Sequence, residues 1–116
     1  MSTVSKMTDE EIILILDDTA EIAELIGELA AQAGFAPTVT TDIESFNREL
    51  ERSTPQVIVL DLQMPGTDGI EVIRQLSSIG CQSRILLVTG MDPRTVDSAK
   101  RFGERLGLNM LGAVQK

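Results

Sequence analysis

The sequence of 116 residues has no histidine, tryptophan or tyrosine, and its single cysteine is Cys81. These absences exclude a Cys/His zinc site, a disulfide framework and histidine catalysis within the chain. Aromatic residues make up only 3% of the sequence, so the core has to be built from aliphatic side chains. We interpret Cys81 as a small, buried or half-buried side chain in a reducing compartment.

Basic residues are also scarce, since ten lysines and arginines stand against eighteen acidic residues and give a formal net charge of -8. Binding to nucleic acid or to an anionic membrane needs clustered basic residues, so we expect neither partner. No apolar run approaches the roughly 20 residues of a membrane span, and the first residues lack the apolar core of a signal peptide. We therefore expect a cytoplasmic protein with a flexible leader over residues 1–10 and one domain over residues 11–116.

Short aliphatic runs predict the strands of a sheet. Three of them are IILIL (12–16), VIVL (57–60) and ILLV (85–88). Runs of this length without alternation are typical of strands that are buried on both faces of a parallel sheet. Two weaker runs predict an edge strand, PTVTT (37–41), and a last strand, MLGAV (110–114).

Helical patterns lie between these strands, over residues 19–33, 43–53, 69–78 and 93–107. The first pattern has an apolar stripe with the helical period, which we expect to face the core: Ile22, Leu25, Ile26, Leu29 and Ala33. Asp42 and Asp68 are placed to cap the second and third helices. Strict alternation of strands and helices predicts an α/β fold with a parallel sheet between two helical layers.

Polar side chains follow the predicted strands where each one ends. Asp17 and Asp18 follow the first strand, Asp61 the third, Thr89 the fourth and Lys116 the fifth. The carboxyl ends of parallel strands meet at one edge, where ligands bind in open α/β sheets. Carboxylates this close repel one another unless a cation joins them. Because the ligands are all oxygens, the sequence favours Mg²⁺, with Mn²⁺ as the alternative.

A hard cation held by few carboxylates usually takes phosphate oxygens as its further ligands. Thr89 could donate a hydrogen bond to such an oxygen, and Lys116 could pair with its charge. A carboxylate can also act as the nucleophile by forming an acyl phosphate. Asp61 is the best candidate for that role, because its strand is central and lies between the first and the fourth predicted strands.

The segments ILDD, VIVLDLQMPGTDGIEVI, ILLVTG and the terminal GAVQK resemble the receiver domain of bacterial two-component response regulators over roughly residues 11–116. The resemblance implies a flavodoxin-like three-layer sandwich, an α/β fold with a parallel five-stranded sheet in the order 2-1-3-4-5. It also implies a signalling domain rather than an enzyme. A sensor histidine kinase or a phosphotransfer protein would supply the phosphoryl group, and an output domain in a longer parent protein would receive the signal.

The resemblance also assigns roles to the polar residues. Asp61 would be the phosphoacceptor, and Thr89 and Lys116 would bind the phosphoryl group. Mg²⁺ would be held by four oxygen donors: the carboxylates of Asp17, Asp18 and Asp61 and the backbone carbonyl of Gln63. Asp18 has an alternative role, since Asp18 and Glu21 could form a capping box for the first helix.

Two departures from the family pattern stand near the end of the sequence. Receivers commonly carry Tyr or Phe three residues before the lysine, where this chain has Ala113. The final helix of the family is also missing, so we expect a C-terminally truncated receiver domain with an uncovered last strand. Such a strand favours pairing with another chain, which leaves a homodimer open. These departures support the alternative of a phosphate-inert interaction module.

Two enzyme or cofactor classes are weaker alternatives. A phosphatase with an aspartate nucleophile usually has an acid two residues after it, but that position is Gln63. Flavin sites favour aromatic stacking, and this chain has three phenylalanines and no other aromatic residue. As for the output, the run AKRFGERLGLNMLGAVQK resembles receivers that are joined to cyclic-di-GMP phosphodiesterase domains of the EAL type.

Overall fold

The structure is a computed structural model that describes residues 11–116. The leader predicted for residues 1–10 lies outside the described residues. The strands of the described part are β1 (Ile12–Leu16), β2 (Ala36–Thr40), β3 (Val57–Leu60), β4 (Gln63–Met64), β5 (Thr67–Asp68), β6 (Arg84–Thr89) and β7 (Asn109–Gln115). Its helices are α1 (Ala20–Gln32), α2 (Ile43–Arg52), α3 (Gly69–Ser78) and α4 (Pro93–Arg105).

Five strands form one parallel sheet in the order β2-β1-β3-β6-β7. The short strands β4 and β5 pair only with each other, so β6 and β7 are the fourth and fifth strands of the predicted order. The predicted flavodoxin-like fold with the order 2-1-3-4-5 is therefore confirmed. In the centre of the sheet Leu60 lies opposite Leu16 on one side and Leu87 on the other, which aligns the ends of three strands.

The two faces of the sheet carry separate apolar cores. One core contains Leu16 and Leu60 and takes in buried side chains of α2, α3 and α4, among them Phe46, Ile73 and Ala99. The other contains Ile15, Val57 and Val59 and is covered by Ala23 and Ala30 of α1. The sheet thus lies between two helical layers. In the described part of the chain, no helix has both the length and the apolar character that crossing a membrane requires.

The expected apolar stripe of α1 packs on the sheet only in part, through the half-buried Ile26, which contacts the core that this helix covers. The buried residues of α1 are instead Ala23, Gly27 and Ala30, while Leu25 and Leu29 are 54% and 56% exposed. A Cβ atom at Gly27 would lie 3.0 Å from the Cγ2 atom of Val39, so the helix lies very close to β2. Small side chains permit this close packing, and larger ones on the neighbouring face do not.

Two of the three predicted helix caps are confirmed. The Asp42 carboxylate accepts a hydrogen bond of 2.7 Å from Ser45 N, and the Asp68 carboxylate accepts one of 3.0 Å from Ile70 N. The capping box of Asp18 and Glu21 is wrong, because the N-cap residue of α1 is Thr19 and makes no side-chain cap. Asp18 therefore has no part in capping this helix.

The segment after Asp61 forms a hairpin that the sequence did not predict. Gln63 pairs with Asp68 and Met64 with Thr67 across the turn at Pro65 and Gly66. Gly66 has a φ of 75°, the left-handed conformation that the third residue of a type II turn requires. The hairpin turns the chain back, so that α3 begins directly beside the end of β3.

Gly69, the first residue of α3, shows how close this return is. A Cβ atom at Gly69 would lie 2.9 Å from the Cα atom of Leu62, a distance that real Cβ atoms do not reach. Only glycine fits there, because backbone rather than a flexible side chain stands in the way. The backbone on the far side of the hairpin is thereby packed against the residue that follows Asp61.

Candidate functional site

The two central acids lie side by side because their strands are neighbours. Asp17 follows β1 and Asp61 follows β3, and the pairing continues past the strands with a hydrogen bond of 2.9 Å from Asp61 N to Leu16 O. Asp17 N donates to Thr40 O at 3.2 Å on the other side. Asp17 is 1% exposed and Asp61 is fully buried. The sheet therefore places two carboxylates at its carboxyl edge with almost no access to bulk water.

Backbone amides two residues further along the chain orient both carboxylates. Thr19 N donates to Oδ1 of Asp17 at 3.0 Å, and Gln63 N donates to Oδ1 of Asp61 at 2.9 Å. In each case the chain turns directly after the acid, so the amide meets one oxygen and leaves Oδ2 facing the site. The two acids thus present one oxygen each to a common space.

Lys116 brings its ammonium group to these two oxygens. Its Nζ atom donates to Oδ2 of Asp61 at 3.1 Å and lies 2.9 Å from Oδ2 of Asp17. The contact with Asp17 is an ion pair without hydrogen-bond geometry, since Oδ2 of Asp17 has no hydrogen-bond partner in the described part of the chain. The lysine balances charge at this edge, but one buried carboxylate oxygen stays without a hydrogen-bond donor.

Asp18 completes a group of three acids. Asp17, Asp18 and Asp61 each offer one carboxylate oxygen, and these oxygens lie within 4.8 Å of one another. Asp18 is exposed, so the group opens to solvent on its side. Three carboxylate oxygens at this spacing fit a hard divalent cation such as Mg²⁺, which prefers carboxylate ligands and keeps several waters. One of the three, Oδ2 of Asp17, is buried and accepts no hydrogen bond from the described residues.

The pKa values of two groups reflect this arrangement. Burial raises the pKa of Asp61 above its usual value, and the Asp17 charge adds to this, while Gln63 N and the Lys116 ammonium lower it without cancelling the rise. For Lys116 burial lowers the pKa, but the contacts with Asp17 and Asp61 outweigh burial and leave the pKa raised. A cation that bound here would relieve the cost of an ionised Asp61.

Thr89, at the end of β6, is fully buried. Its hydroxyl accepts a hydrogen bond of 3.2 Å from Met91 N, and its carbonyl accepts one of 2.9 Å from Lys116 N. Thr89 thus joins the lysine backbone to the loop that follows β6. In the unphosphorylated structure, its hydroxyl thus binds the loop backbone rather than a group at the acids.

Sequence reasoning missed a contact beside Thr89. Gln115 lies opposite Thr89 in the pairing of β6 with β7, and its Nε2 atom donates to Met91 O at 2.6 Å. The signal available beforehand was a polar residue directly before Lys116 in a strand that is otherwise mostly apolar. Thr40 was missed too, although it is buried and donates from its hydroxyl to Ile15 O at 2.6 Å.

The sequence-predicted residues thus fall into two sets. The structure brings four charged side chains together: Asp17, Asp18, Asp61 and Lys116. Thr89 is joined to this group through the backbone of Lys116, and Gln63 through its amide, which meets Asp61. Met64, between Gln63 and the turn, is 8% exposed and packs in the larger core.

A family model and curated proteins match this chain. The model of the response regulator receiver domain matches residues 13–109. The alkaline phosphatase synthesis transcriptional regulatory protein PhoP of Bacillus subtilis is 32% identical over 98 residues, which are 84% of this chain and 38% of PhoP. The chain spans about two fifths of the length of the curated relatives that it matches.

Solved structures share the fold. A response regulator receiver protein from Burkholderia phymatum has a TM-score of 0.75 and 25% identity, with 92% of this chain and 83% of that chain covered. The response regulator TrrA from Thermotoga maritima, solved in complex with Mg²⁺ and BeF, has a TM-score of 0.74 and 23% identity, with 91% and 86% covered. These likenesses agree with the sheet order and the helical layers described above.

Proposed function

This chain belongs to the response regulator receiver domain family, a family of signalling domains in two-component systems, and we propose that it is phosphorylated on Asp61 in a Mg²⁺-dependent reaction. The observation that carries this proposal is the group of three acids with oxygens within 4.8 Å of one another, one of which also meets Lys116 at 3.1 Å. This is the arrangement that an acyl phosphate needs, with a nucleophile, a cation site and a second positive charge.

The phosphoryl donor in this proposal is a phosphohistidine on a sensor histidine kinase or phosphotransfer protein. This sequence has no histidine, so the phosphohistidine lies outside it. A carboxylate oxygen of Asp61 forms the new bond to phosphorus, the phosphorus–nitrogen bond breaks, and the imidazole leaves with the electron pair. Burial supports this role, since the poorly solvated carboxylate of Asp61 is held in place by Gln63 N at 2.9 Å.

The cation and the lysine divide the remaining charge. When bound, Mg²⁺ supplies charge neutralisation for the moving phosphoryl group. We propose that Asp17, Asp18, Asp61 and the backbone carbonyl of Gln63 hold it, with Mn²⁺ as the alternative ion. Lys116 then gives up its contact with Asp17 and pairs with the phosphoryl oxygens. Thr89 turns its hydroxyl from Met91 N to the same group, and this local event shifts the loop after β6.

The test is phosphorylation of the purified chain by acetyl phosphate with Mg²⁺, read by intact mass. We expect wild type to gain one phosphoryl group and Asp61→Ala to gain none, with a chelator abolishing the gain. The matched control is Asp97→Ala, which removes an exposed aspartate paired with Arg101 on α4 and should behave as wild type does. Equal phosphorylation of wild type and Asp61→Ala, or none in wild type, would refute the proposal.

The partners follow from the same proposal. We propose that the domain acts in the cytoplasm, without nucleic acid or membrane contact of its own, and that its phosphorylation controls an output domain in a longer parent protein. An EAL-type phosphodiesterase as that output stays a prediction, which the sequence of the parent gene would decide. The curated relatives are themselves named as transcriptional regulators.

A phosphate-inert interaction module is the second candidate, favoured by one observation. Strand β7 lies at the edge of the sheet and leaves Leu111 and Val114 54% and 50% exposed, a surface suited to a second copy of the chain. Light scattering with and without Mg²⁺ and beryllofluoride separates the two candidates. A dimer that forms equally in both conditions, together with no phosphorylation of Asp61, would favour the inert module.

A further inference from the structure

The backbone of Met91 is held at both of its polar groups. Its N–H donates to the Thr89 hydroxyl at 3.2 Å, and its carbonyl accepts from Nε2 of Gln115 at 2.6 Å. Met91 lies in the loop of residues 90–92 between β6 and α4. One side chain from β6 and one from β7 therefore hold the two peptide groups that flank the Cα atom of Met91. Only the first side chain belongs to the proposed phosphorylation site.

Gln115 shares a face of β7 with Ala113, since residues two apart in a strand point the same way. Ala113 lies opposite Leu87 and Gln115 opposite Thr89. With only a methyl group at Ala113, that residue cannot reach the loop after β6. Gln115, two residues nearer to the end of the strand, does reach it. Contact between β7 and this loop therefore runs through an amide.

The two anchors of Met91 respond differently to a phosphoryl group on Asp61. A threonine occupies discrete χ1 rotamers, so a rotation that aims Oγ1 at another group removes it from Met91 N. Gln115 is exposed and contacts Met91 O from β7, so such a rotation of Thr89 leaves its bond in place. The loop would then keep one side-chain anchor.

We propose that Gln115 is a positioning residue that holds the loop after β6 against β7 when Thr89 turns to the phosphorylated Asp61. This inference rests on the proposed function and names its route of regulation. When the Thr89 contact is lost, the hydrogen bond from Gln115 still holds Met91 O. The loop then shifts by a limited amount and is not released. The end of β7 and the start of α4 thereby move as a connected surface that a partner can read.

The test compares Gln115→Glu with wild type in the full chain. Glutamate keeps the shape of glutamine, but its ionised carboxylate has no hydrogen to donate to Met91 O. The control is Gln32→Glu, an exposed glutamine in the last turn of α1. The order parameter of the Met91 backbone amide is measured by NMR relaxation in each protein, with and without Mg²⁺ and beryllofluoride as the phosphoryl mimic.

With beryllofluoride, we expect the order parameter of Met91 to fall from about 0.85 in wild type to about 0.6 or less in Gln115→Glu, because neither side chain then holds the residue. Without beryllofluoride, Thr89 still holds Met91 N, and we expect an order parameter of about 0.85 in both proteins. Gln32→Glu should match wild type in both states. Signal shifts around Asp61 should occur in every variant, since Gln115 does not contact the acids.

The outcomes separate this inference from the function on which it rests. Signal shifts around Asp61 without a state-dependent difference at Met91 would overturn the role of Gln115 and leave the phosphoacceptor standing. An equal loss of order at Met91 with and without beryllofluoride would show Gln115 to be a merely structural contact and would also overturn its role. No beryllofluoride response in wild type would overturn the proposed function and this inference together.

Discussion

Strands β3 and β7 both deliver a charged residue to the site, but they do so in different ways. All four residues of β3 are buried, and the residue that follows the strand, Asp61, is fully buried too. In contrast, five of the seven residues of β7 are exposed, and the strand leads to Lys116. The nucleophile candidate is thus placed by packing on both faces of the sheet, whereas the lysine is placed at its edge.

This difference shows that the two charges depend on different interactions. Asp61 is held by the core, by the hydrogen bond from its own N–H to Leu16 O and by the hydrogen bond from Gln63 N to its carboxylate. Lys116 depends on the hydrogen bond of its own N–H to Thr89 O and on the acids that it meets. We therefore expect changes to β3 to act on folding and changes to β7 to act on ligand binding.

The largest expected effect comes from removing the same side chain in the two strands. Leu60→Ala should lower the free energy of unfolding by about 2–5 kcal/mol, because Leu60 is fully buried and its loss leaves a cavity. Leu111→Ala, at a residue that is 54% exposed, should cost about 1 kcal/mol or less. Urea unfolding measures both. Equal losses would show that β7 is packed as firmly as β3.

Mg²⁺ should stabilise the acid end of the site. At a concentration about 100 times its dissociation constant, a ligand specific for the folded state adds about 2.7 kcal/mol to the free energy of unfolding. Asp17→Asn should lose most of this gain, because Oδ2 of Asp17 is buried and accepts no hydrogen bond from residues 11–116. The gain in stability is measured by thermal unfolding in MgCl₂ and in KCl of equal ionic strength, with Asp97→Asn as the control. A full gain in Asp17→Asn would contradict the cation site.

Lys116→Met should separate the two functions of the edge charge. The ammonium lies 2.9 Å from the Asp17 oxygen that faces the cation site, so its removal ends a repulsion and should tighten Mg²⁺ binding on the order of tenfold. Phosphorylation by acetyl phosphate should become slower in the same variant. Calorimetric titration with Mg²⁺ checks the first effect, with the exposed Lys100→Met as the control. Weaker Mg²⁺ binding would mean that Lys116 supports the cation rather than competing with it.

The smallest expected effect is the pH dependence that Asp61 causes without Mg²⁺. Burial raises its folded-state pKa above the usual value of 3.8, so the folded protein binds this proton more tightly than the unfolded chain does. The Asp61 contribution to stability is thus greatest below pH 3.8 and is lost as the pH rises through the folded-state pKa. Asp61→Asn should therefore be more stable than wild type at neutral pH. A gap in unfolding free energy that does not close toward pH 3.8 would contradict this assignment.

Much of the fold could be predicted because local rules and packing agree. The buried run VIVL became β3 at its predicted bounds, and Asp42 and Asp68 cap their helices as expected. The face of α1 was only partly right, since Ile26 contacts the core and Leu25 and Leu29 do not. Helical periodicity shows which residues align, but not that Gly27 lets the neighbouring face approach β2 more closely. The β4–β5 hairpin was missed because two-residue strands carry no periodicity.

The candidate site also has features that the sequence predicted and features that only the structure shows. The sequence by itself determined that acids end β1 and β3, because short aliphatic runs specify buried strands and parallel strands share one carboxyl edge. Only the tertiary structure decided that no residue in the described part of the chain donates a hydrogen bond to Oδ2 of Asp17 and that Gln115 holds Met91 O. These facts depend on how side chains from distant strands meet across the sheet, which no local pattern encodes.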